Sequence, residues 1–358
     1  MTVVRVHTDK PYDVHVGRGL GLAVAESIPS SASKVAIFYA PAVRKFADFI
    51  ASNISLPVTS LELADSEKAK SAIQLEKCWE VLGEAKFTRN DIIISVGGGA
   101  TTDVVGFAAA SWLRGIGVIH VPTTVLAMVD AAVGGKTGIN TSAGKNLVGA
   151  FHHPLSVFCD LDVLKNLPEA DIRAGFGEII KCGFIADPQI LSAVEQHGVE
   201  LLDTEHPVFE EMVVRAISVK AEVVADDFTE SKPGGLGREI LNYGHTYGHA
   251  IERCADYSVR HGEAISIGMM FVAHLAAIAG SLSASDVQRH RDLIESLGLP
   301  TTDSTFSFEQ LLDAMSIDKK ARGSLLRFVV LSSMQTPAIL SGPTQEQLEA
   351  AHRAVVGA

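Results

Sequence analysis

The first half of the chain alternates short β-branched runs with helical stretches, and this alternation constrains the fold more than any other feature. "KVAIFYA" (34–40), "DIIISVGGG" (91–99), "GVIHVPTT" (117–124) and "SVFCDLD" (156–162) read as buried strands ending in small or polar residues. Between them, stretches such as "SAIQLEKCWEVLGEAK" (71–86) carry apolar residues at helical spacing. Strands of this kind, joined by helices, form a parallel sheet with helices on both faces. Ligands of such sheets bind beyond the carboxyl ends of the strands. The opening "MTVVRVHTDKPYDVHVGRG" alternates like a strand pair and has no apolar signal-peptide core.

From about Pro168 the pattern turns helical. "PEADIRAGFGEIIKCGFIA", "PVFEEMVVRAISVKAEVVADD", "GREILNYGHTYGHAIERCA" and "HGEAISIGMMFVAHLAAIAG" each read as several helical turns, and "LLRFVVL" (325–331) is the one late strand candidate. The loop "TESKPGGLG" (229–237) reads as mobile from its Gly and Pro content. A chain of 358 residues exceeds one ordinary core, so two domains are expected. They are an α/β domain over 1–167 with a parallel, Rossmann-like sheet, and a mostly α-helical domain over 168–358, with the active site in the interdomain cleft.

With 47% hydrophobic and 20% charged residues the chain has the profile of a well-packed soluble protein. No apolar run is expected to approach the roughly 20 residues of a membrane span. Cys78, Cys159, Cys182 and Cys254 show no CxxC spacing and read as free thiols of a reducing compartment, which points to the cytoplasm. The net charge of −12 disfavours nucleic acid as a partner, while an anionic small molecule requires cations that converge locally.

Four segments carry chemistry. "ISVGGGATTD" (94–103) places three glycines between a strand and a helix, where backbone N–H groups can cradle a pyrophosphate or simply make a tight turn. Asp103 and the "PTT" at 122–124 fall on the same rim. "GGKTGINTSAGKN" (134–146) reads as a glycine-rich polar loop, either solvated or shaped around a ligand, with Lys136, Lys145 and Asn146; Arg114 adds a further cation. "GFGEIIKCGF" (175–184) puts Glu178 and Lys181 on one helix face, an ion pair or, in such apolar surroundings, a metal ligand and its neighbour. "NYGHTYGHAIE" (242–252) and "RHGEAISIG" supply His245, His249 and His261. Three protein ligands with one open position is the common plan of a catalytic zinc site. Spacing alone favours His245 with His249 as the chelating pair and leaves open whether His261 or Glu178 joins them.

Taken together these segments, with "GGGATTDVVGFAAASWLRG", "VPTTVLAMVDAAVGGKTGIN", "GKNLVGAFHHP", "GEIIKCGF", "LNYGHTYGHAIE" and "RHGEAISIGM" in one order, resemble the 3-dehydroquinate synthase family over nearly the whole chain. The resemblance implies conversion of 3-deoxy-D-arabino-heptulosonate 7-phosphate, an anionic sugar-acid phosphate, to 3-dehydroquinate and phosphate in the shikimate pathway. The implied route is transient NAD-dependent oxidation, phosphate β-elimination, reduction and intramolecular aldol closure. It implies NAD⁺ and a divalent metal, zinc or cobalt, as cofactors, a homodimer, and no nucleic-acid or membrane partner. Another sugar-phosphate cyclase, or a metal-dependent polyol dehydrogenase of related fold, is the alternative.

Residue by residue, the resemblance makes Glu178, His245 and His261 the metal ligands and moves His249 to the substrate side. Asp65, Glu67, Lys70, Gly97, Gly98, Gly99, Ala100, Thr101, Thr102, Asp103, Thr123, Thr124, Lys136, Lys145, Val163, Leu164, Lys165 and Asn166 match cofactor positions. Lys136, Lys181, Arg238, Asn242 and His249 match catalytic positions, and Arg114, Asp130, Lys145, Asn146, Lys220, Lys319 and Lys320 match substrate positions. One departure stands out: "DDFTESKPGGLGR" (226–238) is about four residues longer than the family pattern, and Glu230 is taken as the acidic residue before Arg238.

Overall fold

The computed structural model describes residues 1–232, 236–322 and 325–357, with the backbone alone for 317–322. The chain forms two compact units, Met1–Leu167 with Lys220–Thr229, and Pro168–Val219 with Glu230–Ala358. A short segment from within the helical half thus belongs to the first unit.

The first unit is built on a seven-stranded sheet. Its strands are β1 (Thr2–Val6), β2 (Tyr12–Gly17), β3 (Val35–Tyr39), β4 (Val58–Glu62), β5 (Ile92–Gly97), β6 (Gly117–Pro122) and, after a two-stranded hairpin of β7 (Lys136–Thr141) and β8 (Gly144–Phe151), β9 (Ser156–Asp160). The order across the sheet is β1-β2-β9-β6-β5-β3-β4. Only β1 and β2 pair antiparallel, and every other pair is parallel. Alternate residues of the central strands enter two cores, as the two-residue period of a strand requires. Ala36, Phe38, Ile93 and Val118 pack on one face with Leu75, Cys78 and Leu82 of α3 (Ala72–Glu84) and with Val104, Val105 and Ala108 of α4 (Gly99–Ser111). Val35, Ile37, Ile94 and Ile119 pack on the other with Val24 of α1 (Gly21–Glu26) and with Ala47 and Ile50 of α2 (Arg44–Ser52).

The segment 134–146, expected to be a loop, is instead the start of the β7–β8 hairpin. Glycine disguises it in the sequence and makes it possible in the fold. A Cβ on Gly149 would sit 1.9 Å from Thr137 O, and one on Gly106 of α4 would sit 2.5 Å from Thr137 Cγ2.

The second unit is helical. It holds α5 (Glu169–Ile185), α6 (Pro188–His197), most of α7 (Phe209–Asp226), α8 (His245–Cys254), α9 (His261–Ile278), α10 (Ala284–Ser296), α11 (Phe308–Arg322) and α12 (Gln345–Val356). The late strand candidate is β10 (Arg327–Ser333), paired antiparallel with a further strand, β11 (Thr336–Ser341). Two expectations change here. The stretch 237–254 is not one helix: a 3₁₀ turn over Gly237–Asn242 stops before Gly244, whose φ of 81° suits a residue without a Cβ. And α9, at 18 residues, is long and apolar enough by composition to cross a membrane, although 72% of that span is buried inside the unit. It is the central core helix. Of the loop 229–237, residues 233–235 lie outside the described residues.

Candidate active site

In the first unit, β5 runs straight into Gly97, Gly98 and Gly99, and α4 begins at Gly99 with Gly98 as its N-cap. A Cβ would lie 2.5 Å from Thr101 Oγ1 at Gly97, 3.3 Å from Thr124 Cγ2 at Gly98 and 3.1 Å from Ala131 Cβ at Gly99. The turn is therefore closed to side chains, and the leading N–H groups of a 13-residue helix stand over bare backbone. That arrangement fits a dinucleotide pyrophosphate, which helix N-termini attract. Thr123 N donates to Gly97 O (2.9 Å), which binds the end of β6 to the same rim.

Charged groups beside this turn satisfy one another. Lys70, only 5% exposed, donates to Asp103 Oδ2 (2.5 Å) and to Asn146 Oδ1. Burial pushes the Asp103 carboxyl up and Lys70 pulls it part-way back, which leaves it at about 6. Asn140 joins the hairpin to the turn at 65–70: its Nδ2 donates to Glu67 Oε1 (2.6 Å), and its Oδ1 accepts from Asn146 N (3.1 Å). Lys145 lies 3.8 Å from Glu67. Lys220 donates to Asp130 O (2.5 Å) and to its carboxylate. In the segment 226–238, Phe228 stacks on His153 at 3.8 Å between ring centroids and faces Gly135, next to Lys136.

Other cofactor and substrate positions of this unit are placed as follows. Asp65 directly precedes the turn over Ser66–Ala69, and Ala100, Thr101 and Thr102 lie in the first turn of α4. Val163, Leu164, Lys165 and Asn166 lie in the 3₁₀ turn Leu161–Asn166 after β9; Leu164 is wholly buried and Lys165 pairs with Asp162 at 2.9 Å. Arg114 stands beyond the far end of α4, about 20 Å along the helix from Gly98 at 1.5 Å per residue. It is not brought to the group.

In the second unit, Glu178 of α5, His245 at the start of α8 and His261 at the start of α9 converge, their ligand atoms all within 4.8 Å of one another. Glycines make the convergence possible. Gly177 precedes Glu178 and Gly262 follows His261; a Cβ on Gly177 would lie 2.8 Å from Gly262 Cα, and one on Gly262 would lie 1.7 Å from Ala174 O. Gly244, just before His245, meets α9 at Gly268, where a Cβ would lie 2.0 Å from Gly244 O. Each ligand is thus carried in beside a backbone contact.

Glu178 is 2% exposed. Its Oε2 accepts from Lys181, while Oε1, 3.6 Å from His245 Nε2 and 3.4 Å from His261 Nε2, is buried with no hydrogen bond of sound geometry. Burial raises the Glu178 carboxyl, but Lys181 and the histidines outweigh it and hold it well below its usual range. Burial, with Lys181 next, holds His245 well below its ordinary value. Burial works to lower His261, yet Glu178 and Glu252 outweigh it and raise the imidazole to about 10. A carboxylate oxygen without a donor, facing two imidazole nitrogens in a dry site, has the donor set of a divalent cation such as Zn²⁺.

Both imidazoles are also steered from behind. His245 Nδ1 lies 3.2 Å from Tyr243 O, and His261 Nδ1 lies 3.2 Å from Glu252 Oε2. His249, its side chain 49% exposed, faces Glu252 at 4.0 Å and stays outside the Glu178 group; its atoms gather instead with those of Glu252 and His261, so the i,i+4 pairing with His245 is set aside. Arg238 is buried in the 3₁₀ turn Gly237–Asn242, which ends at Asn242, and Glu230 adopts a left-handed φ of 55°. The side chains of Lys319 and Lys320 lie outside the described residues. Sequence reading missed Glu252 and Tyr243. The available signal was position: Glu252 is seven residues after His245 and three after His249, hence on the same helix face.

Two family descriptions cover this arrangement: 3-dehydroquinate synthase N-terminal over residues 60–174 and 3-dehydroquinate synthase C-terminal over residues 175–321. The chain belongs to the 3-dehydroquinate synthase family. The 3-dehydroquinate synthase of Nocardia farcinica (strain IFM 10152) is 49% identical over 358 residues, 98% of this chain and 95% of that one. Among solved structures, a 2-deoxy-scyllo-inosose synthase complexed with carbaglucose-6-phosphate, NAD⁺ and Co²⁺ is 28% identical with a TM-score of 0.86 over 98% of each chain. The 2-epi-5-epi-valiolone synthase of Streptomyces hygroscopicus subsp. jinggangensis 5008, with NAD⁺ and Zn²⁺ bound, is 25% identical with a TM-score of 0.87 over 96% of each chain.

Proposed function

We propose that this member of the 3-dehydroquinate synthase family converts 3-deoxy-D-arabino-heptulosonate 7-phosphate to 3-dehydroquinate and phosphate, with Glu178, His245 and His261 holding a divalent metal and the Gly97–Gly99 turn holding NAD⁺. The observation that carries the reading is the buried, unmet Glu178 Oε1 between two imidazole nitrogens. Held by these residues, a metal would supply acidification of the substrate hydroxyl to be oxidised and NAD⁺ would supply a transient hydride acceptor, with no net redox change.

The chain's own residues supply binding, orientation and charge. The N–H groups at the start of α4 take the cofactor pyrophosphate, and Asp103 with Lys70 sets the polarity beside it. On the family resemblance, Lys136, Lys145, Asn146, Lys181, Lys220, Arg238, Asn242 and His249 serve the substrate, with Asp130 orienting Lys220. The cations bind the phosphate and carboxylate by charge-assisted hydrogen bonds and stabilise the charge that develops as phosphate leaves. Lys181 also pairs with Glu178 and so offsets the charge of the one anionic ligand. On the same reading, which follows the family resemblance, the enzyme works in the cytoplasm as a homodimer.

The test is phosphate release from that substrate with catalytic NAD⁺ and zinc, followed together with absorbance at the NADH band. Phosphate and dehydroquinate should form without accumulation of NADH, and chelation should stop the reaction. Folded, metal-loaded protein that releases no phosphate would reject this substrate in favour of another sugar-phosphate cyclase reaction. Stoichiometric NADH would point to a polyol dehydrogenase.

A further inference from the structure

Glu252 belongs to α8 and is 8% exposed, yet it holds no place among the ligands of the Glu178 group. Its Oε2 is 3.2 Å from His261 Nδ1 and 4.0 Å from His249 Nε2. The opposite nitrogen of His261, Nε2, is the one that faces Glu178 Oε1 at 3.4 Å. A neutral imidazole carries its proton on one nitrogen only, and a metal needs the lone pair of the other. We infer that Glu252 is a positioning residue: it accepts the Nδ1 proton of His261, fixes the ring's tautomer and rotation, and so aims the Nε2 lone pair at the metal.

The geometry supports this on three counts. First, Glu252 lies two turns along α8 from His245, on the same face, while His261 starts α9; the contact therefore ties the two ligand-bearing helices together at the site. Second, the other ligand histidine is steered by a neutral backbone carbonyl, Tyr243 O, at the same 3.2 Å. Among the described residues, the Nδ1 partner of His261 is anionic and that of His245 is not, and a carboxylate behind an imidazole makes it a stronger donor. Third, Glu252 also faces His249, so one carboxylate serves a metal ligand and a substrate-side histidine. The inference rests on the metal assignment made above, and the experiment separates the two.

The experiment measures zinc affinity of metal-stripped, full-length protein by competition with a chromophoric chelator, and the visible absorption spectrum of the Co²⁺-loaded form. E252A and E252Q are compared with E178Q, with thermal unfolding to verify the fold. With a steering role, E252A weakens zinc binding by about 10- to 100-fold, as loss of such partners does. E252Q, which keeps an acceptor for the Nδ1 proton but not the charge, falls between E252A and wild type and shifts the cobalt bands. E178Q loses zinc far more completely than either. Wild-type affinity and an unchanged cobalt spectrum in E252Q and E252A overturn the inference. So does a loss in E252Q as complete as that in E178Q, which would make Glu252 itself a ligand. If E252A does not fold, the near-isosteric E252Q decides by the same two readings. If E178Q keeps its zinc, the metal assignment fails rather than the steering role alone.

Discussion

The two units prepare for their ligands in opposite ways. Beside the glycine turn of the first, the charged groups are already matched: Lys70 with Asp103 and Asn146, Lys220 with Asp130. In the second, the site ends on a buried carboxylate oxygen that lacks a donor. A ligand arriving at the first unit meets hydrogen bonds it must share or replace. A cation arriving at the second completes an arrangement that is costly without it, since an unmet buried acceptor costs about 1–3 kcal/mol. Metal binding should therefore be the more rigidly preset of the two events.

The sharpest way to break this comparison is to remove a ligand. H261A should lose zinc affinity by more than about 100-fold, beyond the loss expected from a supporting residue, and should abolish turnover. An alanine variant that keeps metal and activity, measured by metal content and phosphate release, would undo the assignment. Next comes G262A, whose Cβ would lie 1.7 Å from Ala174 O, a backbone atom that cannot swing aside. We expect a loss of about 3 kcal/mol in urea unfolding, the upper end of ordinary overpacking, with weaker zinc binding as α5 and α9 part. Wild-type stability there would mean that the helices adjust freely and that the site is not preset.

On the first unit, K70M tests whether the matched charges matter. It leaves Asp103 without its cation, so we expect destabilisation of about 3 kcal/mol and a raised KM for NAD⁺ with zinc affinity unchanged. The remaining effect, absent near neutral pH and growing only on acidification, is a pH dependence. His120, buried against Ser95 at 2.7 Å, is held down to about 3, first by burial and then by His152. Its folded value is depressed, so its contribution is present above the ordinary value near 6.5 and is lost as pH falls toward 3. The slope is about 1.4 kcal/mol per pH unit. H120Q should flatten that slope between pH 6.5 and 4; an unchanged acid limb would show that His120 is not kept neutral.

Legibility in the sequence followed how local the cause was. The runs at 34–40, 91–99, 117–124 and 156–162 became β3, β5, β6 and β9 because buried parallel strands need little more than continuous apolar β-branched residues. The β7–β8 hairpin was hidden because what stabilises it, Gly149 against Thr137 and Gly106 against β7, is a backbone approach that composition reads as loop. β4 and β11 went unread for a related reason: "VTSLE" and "TPAILS" are short and half-exposed. At the proposed metal site, helical spacing put His245 beside His249, whereas the group forms with partners 67 positions earlier and 16 later. Such distances in sequence are invisible to local periodicity, and only resemblance supplied them. Glu252 lay within reach of simple helix geometry, but an acid near the end of an amphipathic helix is ordinarily solvated, and its burial is a tertiary fact.

The glycines that flank Glu178, His245 and His261 have a consequence for the site's capacity to change. At Gly177, Gly262, Gly244 and Gly268 the neighbouring chain occupies the space a methyl group would need. A mutation there adds volume where none exists, so these positions have almost no tolerated single-step neighbours. Variation in what the enzyme accepts must accumulate elsewhere, away from the ligand-bearing backbone, as in the segment around Phe228, which packs on His153 and Gly135 beside Lys136. A laboratory library aimed at new substrates would do best to leave those four codons untouched and to diversify that segment instead.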